Sequence, residues 1–226
     1  KELKAIESTK ILDRDGNVLY AVTGEQRRTI ISFSDMPASI RNATISAEDK
    51  DFYHNFGFSV NGILRSVYYN LTGKTGYLVG GSTITQQFVK NALLTSQKTF
   101  GRKIKELILT LEVEAIYSKD KILEMYLNQI PYGSNVYGIQ EAAKTYFGKD
   151  AKDLTLAESA TLASLPKAPT YYSPYGNHPD KLKIREEYIL DRMVALKYIS
   201  KDEAKKAKEE KLAYNPYKEN ISAPHF

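Results

Sequence analysis

The chain has 226 residues, no cysteine, and 32 Lys and Arg against 27 Asp and Glu, a net charge of +5. Without cysteine it has no disulfide, no thiolate nucleophile and no Cys-ligated zinc, and no apolar run approaches the ~18 residues of a membrane-spanning helix. The length suits one sizeable domain, and the mild basic excess suits an anionic partner (membrane surface, nucleic acid or phosphorylated substrate) without choosing among them.

In chain order, Ile11-Leu12 and Val18-Leu19-Tyr20 flank Asp13-Arg14-Asp15-Gly16-Asn17, whose Asp-Gly step predicts a hairpin over 10–20. Residues 28–33 read as a further strand. Asp35-Met36-Pro37 begins a helix, with Pro tolerated in the first turn; Ile40, Ala43 and Ala47 share its face, and it is expected to end near Asp51. A helix over 59–71 and a Gly-rich loop over 72–81 follow. Ser82 is expected to cap a helix reaching about Leu94. Two more helices fit 99–117 and 119–129. In the first, Ile104, Leu107, Ile108 and Leu111 read as the buried stripe, with Glu106 near its edge. Gly148 stops a helix over 138–147. Thr155-Leu156-Ala157-Glu158 and Ser200-Lys201-Asp202-Glu203 both fit the capping box, starting helices that end near Pro166 and Leu212, with another over 179–197. The tail from Ala213 reads as extended. The sum is a mainly α domain with a short N-terminal β element.

Three segments carry candidate chemistry. Glu48-Asp49-Lys50-Asp51 places three acids at a helix C-terminus, where the macrodipole disfavours each by ~0.3–1 kcal/mol. Taken alone, the cluster reads more simply as solvated charge. Gly80-Gly81-Ser82-Thr83 opens a helix in an anion-binding manner, with Thr83, Gln87 and Lys90 along one polar face and Ile84, Phe88 and Ala92 along another. A well-capped helix without a ligand fits that pattern equally. Lys98 through Glu106 surrounds one carboxylate with Lys98, Arg102, Lys103 and Lys105; taken alone, an Arg102–Glu106 surface pair accounts for it. Together, a carboxylate able to take a proton and cations able to meet a departing phosphate suit sugar transfer from a phosphorylated donor. Phe56, Phe58, Tyr68, Tyr69 and Tyr77, interleaved with Arg65 and Lys74, suit an interfacial segment or a core helix with a loop. His54, His178 and His225 have no metal-ligand spacing.

Glu48-Asp49-Lys50-Asp51-Phe52-Tyr53, Gly80-Gly81-Ser82-Thr83-Ile84-Thr85-Gln86-Gln87 with Lys90-Asn91, Arg102-Lys103-x-x-Glu106, and Lys121-Ile122-Leu123-Glu124-Met125-Tyr126-Leu127-Asn128 resemble, in order, signature motifs of the family 51 glycosyltransferases, the peptidoglycan glycosyltransferases of class A penicillin-binding proteins. Ala142-Ala143-x-x-Tyr146-Phe147-Gly148-Lys149 and Leu156-Ala157-Glu158 through Pro169 resemble later segments. The resemblance implies a lysozyme-like helical fold with a smaller, membrane-facing jaw at about 56–81, inside a domain over 35–212. Residues 1–34 would then form an N-terminal linker with the hairpin, and 213–226 a linker toward a transpeptidase domain absent from this chain.

The resemblance further implies a reaction, in which the 4-hydroxyl of lipid II attacks C1 of the growing glycan strand and lipid pyrophosphate leaves with inversion. By motif position Glu48 resembles the general base and Glu106 the second acid. Asp49, Ser82, Thr83, Gln87, Lys90, Asn91, Lys98, Arg102 and Lys103 fall at substrate-contacting positions. Inhibitors of the moenomycin type would bind there. No cofactor is required and no resident metal is implied, although a divalent cation (Mg or Mn) assists some members. The partners would be lipid II, the strand and a membrane surface, not nucleic acid. The location would be the extracytoplasmic face of the bacterial inner (cell) membrane, held by an N-terminal helix absent here. Asn55 stands where the family usually has His, Val79 where it has Gln, and Lys98 where Arg is common. Two other readings compete: a lysozyme-like hydrolase or lytic transglycosylase, and a non-catalytic membrane-docked module. A hydrolase has no pyrophosphate for the cations to bind.

Overall fold

The computed structural model describes residues 10–12, 18–21, 29–59, 68, 72, 81–93, 100–133 and 135–216. Most of the expected helix over 59–71, most of the Gly-rich loop and of the jaw, and all of Val79, Lys98 and the tail from 217 lie outside these residues.

Strands β1 (Lys10–Leu12) and β2 (Val18–Ala21) pair antiparallel, with Ile11 opposite Tyr20. Over the described residues 29–33 the strand expected at 28–33 is not formed. Helix-borne side chains satisfy that backbone instead: Asn128 accepts from the Ile31 N–H (3.1 Å) and donates to its carbonyl (2.9 Å), while Glu124 accepts from the Phe33 N–H (3.0 Å). With its polar groups met this way the segment needs no strand neighbour, and it runs into a short 3₁₀ turn, Phe33–Asp35.

Helix α1 (Ala38–Glu48) begins after Pro37, which is its N-cap rather than a first-turn residue, and ends three residues before the expected Asp51. Helix α2 spans Ile84–Leu93, α3 Phe100–Ile116, α4 Lys119–Gln129. A small hairpin of β3 (Pro131–Gly133) and β4 (Val136–Tyr137), unmarked in the sequence, then leads into α5 (Ile139–Phe147). Gly148 ends α5 in the left-handed region, φ 68°, as its position predicts. Helices α6 (Leu156–Ser164), α7 (Pro179–Ala195) and α8 (Lys201–Glu209) complete the chain, and both predicted capping boxes form, at Thr155–Glu158 and Ser200–Glu203.

Helix α6 is the axis of the larger part. Every residue from Ala157 to Ser164 is buried. A helix covered on all sides is mostly apolar or small, and Ala157, Ser159, Ala160 and Ala163 let α1 and α7 pack closely against it, while the buried Glu158 is met by the Thr155 N–H and Lys149. Ser39 of α1 and Ser159 of α6 share a 2.8 Å hydrogen bond across that contact. A second packed group joins α2 to α3 and α4, with Ile84 and Phe88 buried and Ala92 half-buried on the face that helical spacing predicts, and Val89 buried beside them.

The stripe on α3 is a correction. Ile104, Leu107, Ile108 and Leu111 are 43–52% exposed, whereas Glu106, Thr110 and Val113 face inward. Apolar periodicity identifies a coherent face, not what covers it. Here the polar face meets α2, because Glu106 and Glu114 find partners there and along their own helix.

Candidate active site

Glu48 is the last residue of α1, with its side chain only 12% exposed. Both carboxylate oxygens are held. Gln87 Nε2 of α2 donates to Oε2 (2.8 Å), and Arg185 Nη2 of α7 donates to Oε1 (3.2 Å). The Tyr126 hydroxyl of α4 donates in turn to Gln87 Oε1 (3.2 Å). Burial and, after it, the Glu48 charge hold the Tyr126 and Tyr132 hydroxyls well above the usual phenol range. Both stay neutral, and Tyr126 is a donor at the edge of an anionic site. The Tyr132 hydroxyl is buried with no hydrogen-bond partner among the described residues.

Asp49, the C-cap of α1, turns the other way. Asn55 Nδ2 donates to both its oxygens (3.0 Å each), and the Ile84 N–H opening α2 donates to Oδ2 (3.3 Å). Burial pushes the Asp49 carboxyl up, against the lowering pull of Asn55, the Ile84 N–H and the Lys119 charge. The helix start that reads in sequence as an anion site is thus occupied in part by an internal anion. Asn55 also accepts from the Gly57 N–H (3.0 Å) and Lys119 Nζ (3.3 Å), so it organises the turn after α1. Lys119 pairs with Glu114 (2.7 Å) and lies 4.8 Å over the Phe52 ring; Thr85 donates to Glu114 (2.5 Å).

The cap of α2 is Thr83, not Ser82. Thr83 Oγ1 accepts from the Gln86 N–H (3.2 Å) while Gln86 Oε1 accepts from the Thr83 N–H (3.0 Å), a reciprocal box. Thr83 also donates to the Gly57 carbonyl (2.6 Å). Both Thr83 and Asp49 are buried by these bonds, which tie the end of α1 to the start of α2. Ser82, Lys90 and Asn91 are exposed and Gln87 is half-buried.

Glu106 is 2% exposed and bonds Lys103 one turn back; the simple alternative named Arg102 as its partner. Lys103 itself is 55% exposed, so the pair reaches the surface through the cation. Thr110 donates to the Glu106 carbonyl (2.6 Å) and its methyl lies against Gly57. The structure therefore joins Glu48, Asp49, Thr83 and Gln87 in one bonded group and ties α3, with Glu106, Lys103 and Arg102, to it through Gly57 and Glu114. Lys98 lies outside the described residues.

Glu48 and Asp49 have both oxygens engaged by nitrogen donors, and no three His, Asp or Glu side chains gather among the described residues. Arg185 was missed in sequence because it is 137 residues from Glu48. One signal was present. Arg185 and Glu186 occupy core-facing positions of α7, spaced with Leu182, Ile189, Leu190 and Met193.

Residues 15–194 match the family model described as Transglycosylase. Over 211 residues the chain is 46% identical to penicillin-binding protein 1A of Neisseria cinerea, covering 93% of this chain and 26% of that protein. Over 204 residues it is 47% identical to penicillin-binding protein 1F of Bacillus subtilis (strain 168), covering 90% and 28%. The crystal structure of penicillin-binding protein 1A from Haemophilus influenzae superposes with a TM-score of 0.56 at 27% identity, covering 94% of this chain and 22% of that one. The chain thus spans about a quarter of the length of these relatives. It belongs to the transglycosylase family, and is a glycosyltransferase domain of the kind that class A penicillin-binding proteins carry.

Proposed function

We propose that this domain polymerises lipid II into β-1,4-linked glycan strands. Glu48 takes the proton of the acceptor 4-hydroxyl as that oxygen attacks C1 of the strand's terminal sugar. The C1–phosphate oxygen bond breaks with inversion, and lipid pyrophosphate leaves with the bonding electron pair. The observation that carries this reading is the Glu48 carboxylate, nearly buried yet held on both oxygens by neutral and cationic donors, at the junction of α1 and the start of α2. A carboxylate held in one orientation with lone pairs to spare is suited to general-base work. Glu106 and Lys103, with Arg102, Lys90 and Lys98, are assigned to the pyrophosphate, where fixed cations act on charge developing in the transition state. Inhibitors of the moenomycin type, which carry a phosphate, would compete there.

The exposed stripe of Ile104, Leu107, Ile108 and Leu111 supports a membrane surface as partner. Four large apolar side chains on one helix face, beside exposed Lys103 and Lys105, match an interfacial surface better than water. Among the described residues no helix is long and apolar enough to cross a membrane. Docking of this face on the outer leaflet of the cell membrane would bring the lipid-linked donor to the site, and the remainder of the relatives' length is where a transpeptidase domain belongs.

The test is incubation with lipid II in detergent, with product glycan separated by gel. Polymer formation, abolished in a folded Glu48→Gln variant, is the expected result. Near-wild-type turnover of Glu48→Gln, or cleavage of finished glycan in place of synthesis, overturns the reading.

A further inference from the structure

Glu48 sits where its charge is least welcome. The last-turn carbonyls of α1 point partial negative charge toward it, and its side chain is largely withdrawn from water. A carboxylate placed so is tolerated only with a cation and hydrogen bonds to offset the lost hydration. Gln87 supplies one hydrogen bond but no charge. The cation is Arg185, and three contacts hold it. Its Nη2 donates to Glu48 Oε1 (3.2 Å), its Nε donates to the Ser164 carbonyl (3.0 Å), and its guanidinium lies 5.4 Å over the Tyr172 ring.

These contacts use what a guanidinium has and an ammonium lacks. Ser164 is the last residue of α6, so its carbonyl belongs to the unpaired, partially negative end of that helix. Nε and Nη2 are donors of one rigid plane, and the same plane presents a face to Tyr172. With Nε fixed on the α6 end, Nη2 has one place to point. A carboxylate offers about four lone-pair sites; Gln87 and Arg185 take one on each oxygen and leave one on each for an incoming hydroxyl.

We propose that Arg185 is a positioning residue for the transfer, fixing the rotation of the Glu48 carboxylate and offsetting its charge from the opposite side to Gln87. It acts through Glu48 and touches no substrate. The proposal rests on the reading of Glu48 as the base. It also explains how a helix-end acid, unfavourable on local grounds, is retained: the compensating charge comes from α7 through the tertiary fold.

The experiment compares Arg185→Met, Arg185→Lys, Glu48→Gln and the double variant Glu48→Gln/Arg185→Met, reading lipid II polymerisation kinetics and thermal unfolding. Misplacing a reacting group by about 1 Å costs on the order of 100-fold, so Arg185→Met should lose about that factor in kcat with KM within about threefold. Arg185→Lys keeps the charge but not the fork, and should regain only about a tenth of the wild-type kcat. In unfolding, Arg185→Met should lower Tm and the double variant should recover most of the loss, because removing both partners leaves no unpaired buried charge. Wild-type kcat in Arg185→Met alongside an inactive Glu48→Gln sinks the proposal and spares the base assignment. Near-wild-type turnover of Glu48→Gln sinks the base assignment and this proposal with it. Additive Tm losses in the double variant overturn the pairing, and that measurement stands even where Arg185→Met is too unstable for kinetics.

Discussion

Gly57 carries a prediction whose size follows from the geometry. Its φ is +81°, and a Cβ built there would lie 2.6 Å from Thr110 Cγ2 and 3.0 Å from Glu114 Cγ. Gly57→Ala therefore meets two costs. An L-residue in the left-handed region costs about 1–2 kcal/mol, and an extra carbon in a packed contact costs about 1–3 kcal/mol, together about 2–5 kcal/mol. At roughly 2–4 °C per kcal/mol for a domain of this size, Tm should fall by about 4–20 °C. Activity should fall as well, since the Gly57 N–H bonds Asn55 and its carbonyl takes the Thr83 hydroxyl, the two residues that seat Asp49 and cap α2. The two costs are separable. Thr110→Ser deletes Cγ2 but keeps the hydroxyl that bonds the Glu106 carbonyl. In the Gly57→Ala background it should return about 1–3 kcal/mol, the packing share. Thermal unfolding followed by circular dichroism reads both. A Gly57→Ala Tm within 1 °C of wild type would refute the reasoning, and absence of recovery on adding Thr110→Ser would refute its steric half.

Lys103→Ala removes the partner of a Glu106 that is nearly all buried; donor KM should rise on the order of 10-fold with a charge-assisted contact gone, and unchanged KM in steady-state assays would remove Lys103 from the pyrophosphate site. Burial, and next the Glu186 charge, push the Tyr214 hydroxyl up to about 12 from an ordinary 10. The folded state then holds the proton more tightly than the unfolded one, so this contribution is whole below pH 10 and is lost as pH rises through about 12; Tyr214→Phe should flatten stability across that alkaline window in pH-dependent unfolding, and an unaltered slope would contradict it. Ile108→Glu places a charge on the exposed α3 stripe, so co-sedimentation with anionic lipid vesicles should fall several-fold while Tm stays within about 2 °C of wild type; retained vesicle binding would exclude that face as the lipid contact.

Local chemistry made much of the fold legible. The two capping boxes, the Gly148 stop, the α4 boundaries and the buried face of α2 follow from interactions within a few residues, and each is found where its residues stand. The misread elements share one cause, partners distant in sequence. The segment over 29–33 has strand-like residues but takes its hydrogen bonds from Asn128 and Glu124, about 90 residues away, so no sheet is needed. The cap of α2 moved from Ser82 to Thr83 because Thr83 also reaches the Gly57 carbonyl. The apolar spacing on α3 marks a coherent face that is exposed instead of buried, since periodicity carries no information on what lies opposite.

The candidate site divides along the same line. By itself the sequence determined the residue types and their order: Glu48 at a helix end, Gln87 one turn into the next described helix, Lys103 one turn from Glu106. Those relations depend on 3.6-residue periodicity and on motif spacing, both local. Only the tertiary structure decided what each group does to the others. It set Gln87 and Arg185 on opposite oxygens of Glu48, gave Asp49 to Asn55 and the start of α2, and withdrew Glu106 from water. The physical reason is that desolvation and charge pairing depend on distance through space. The acid that the helix dipole alone would disfavour is kept by a guanidinium that packing, not sequence proximity, brings to it.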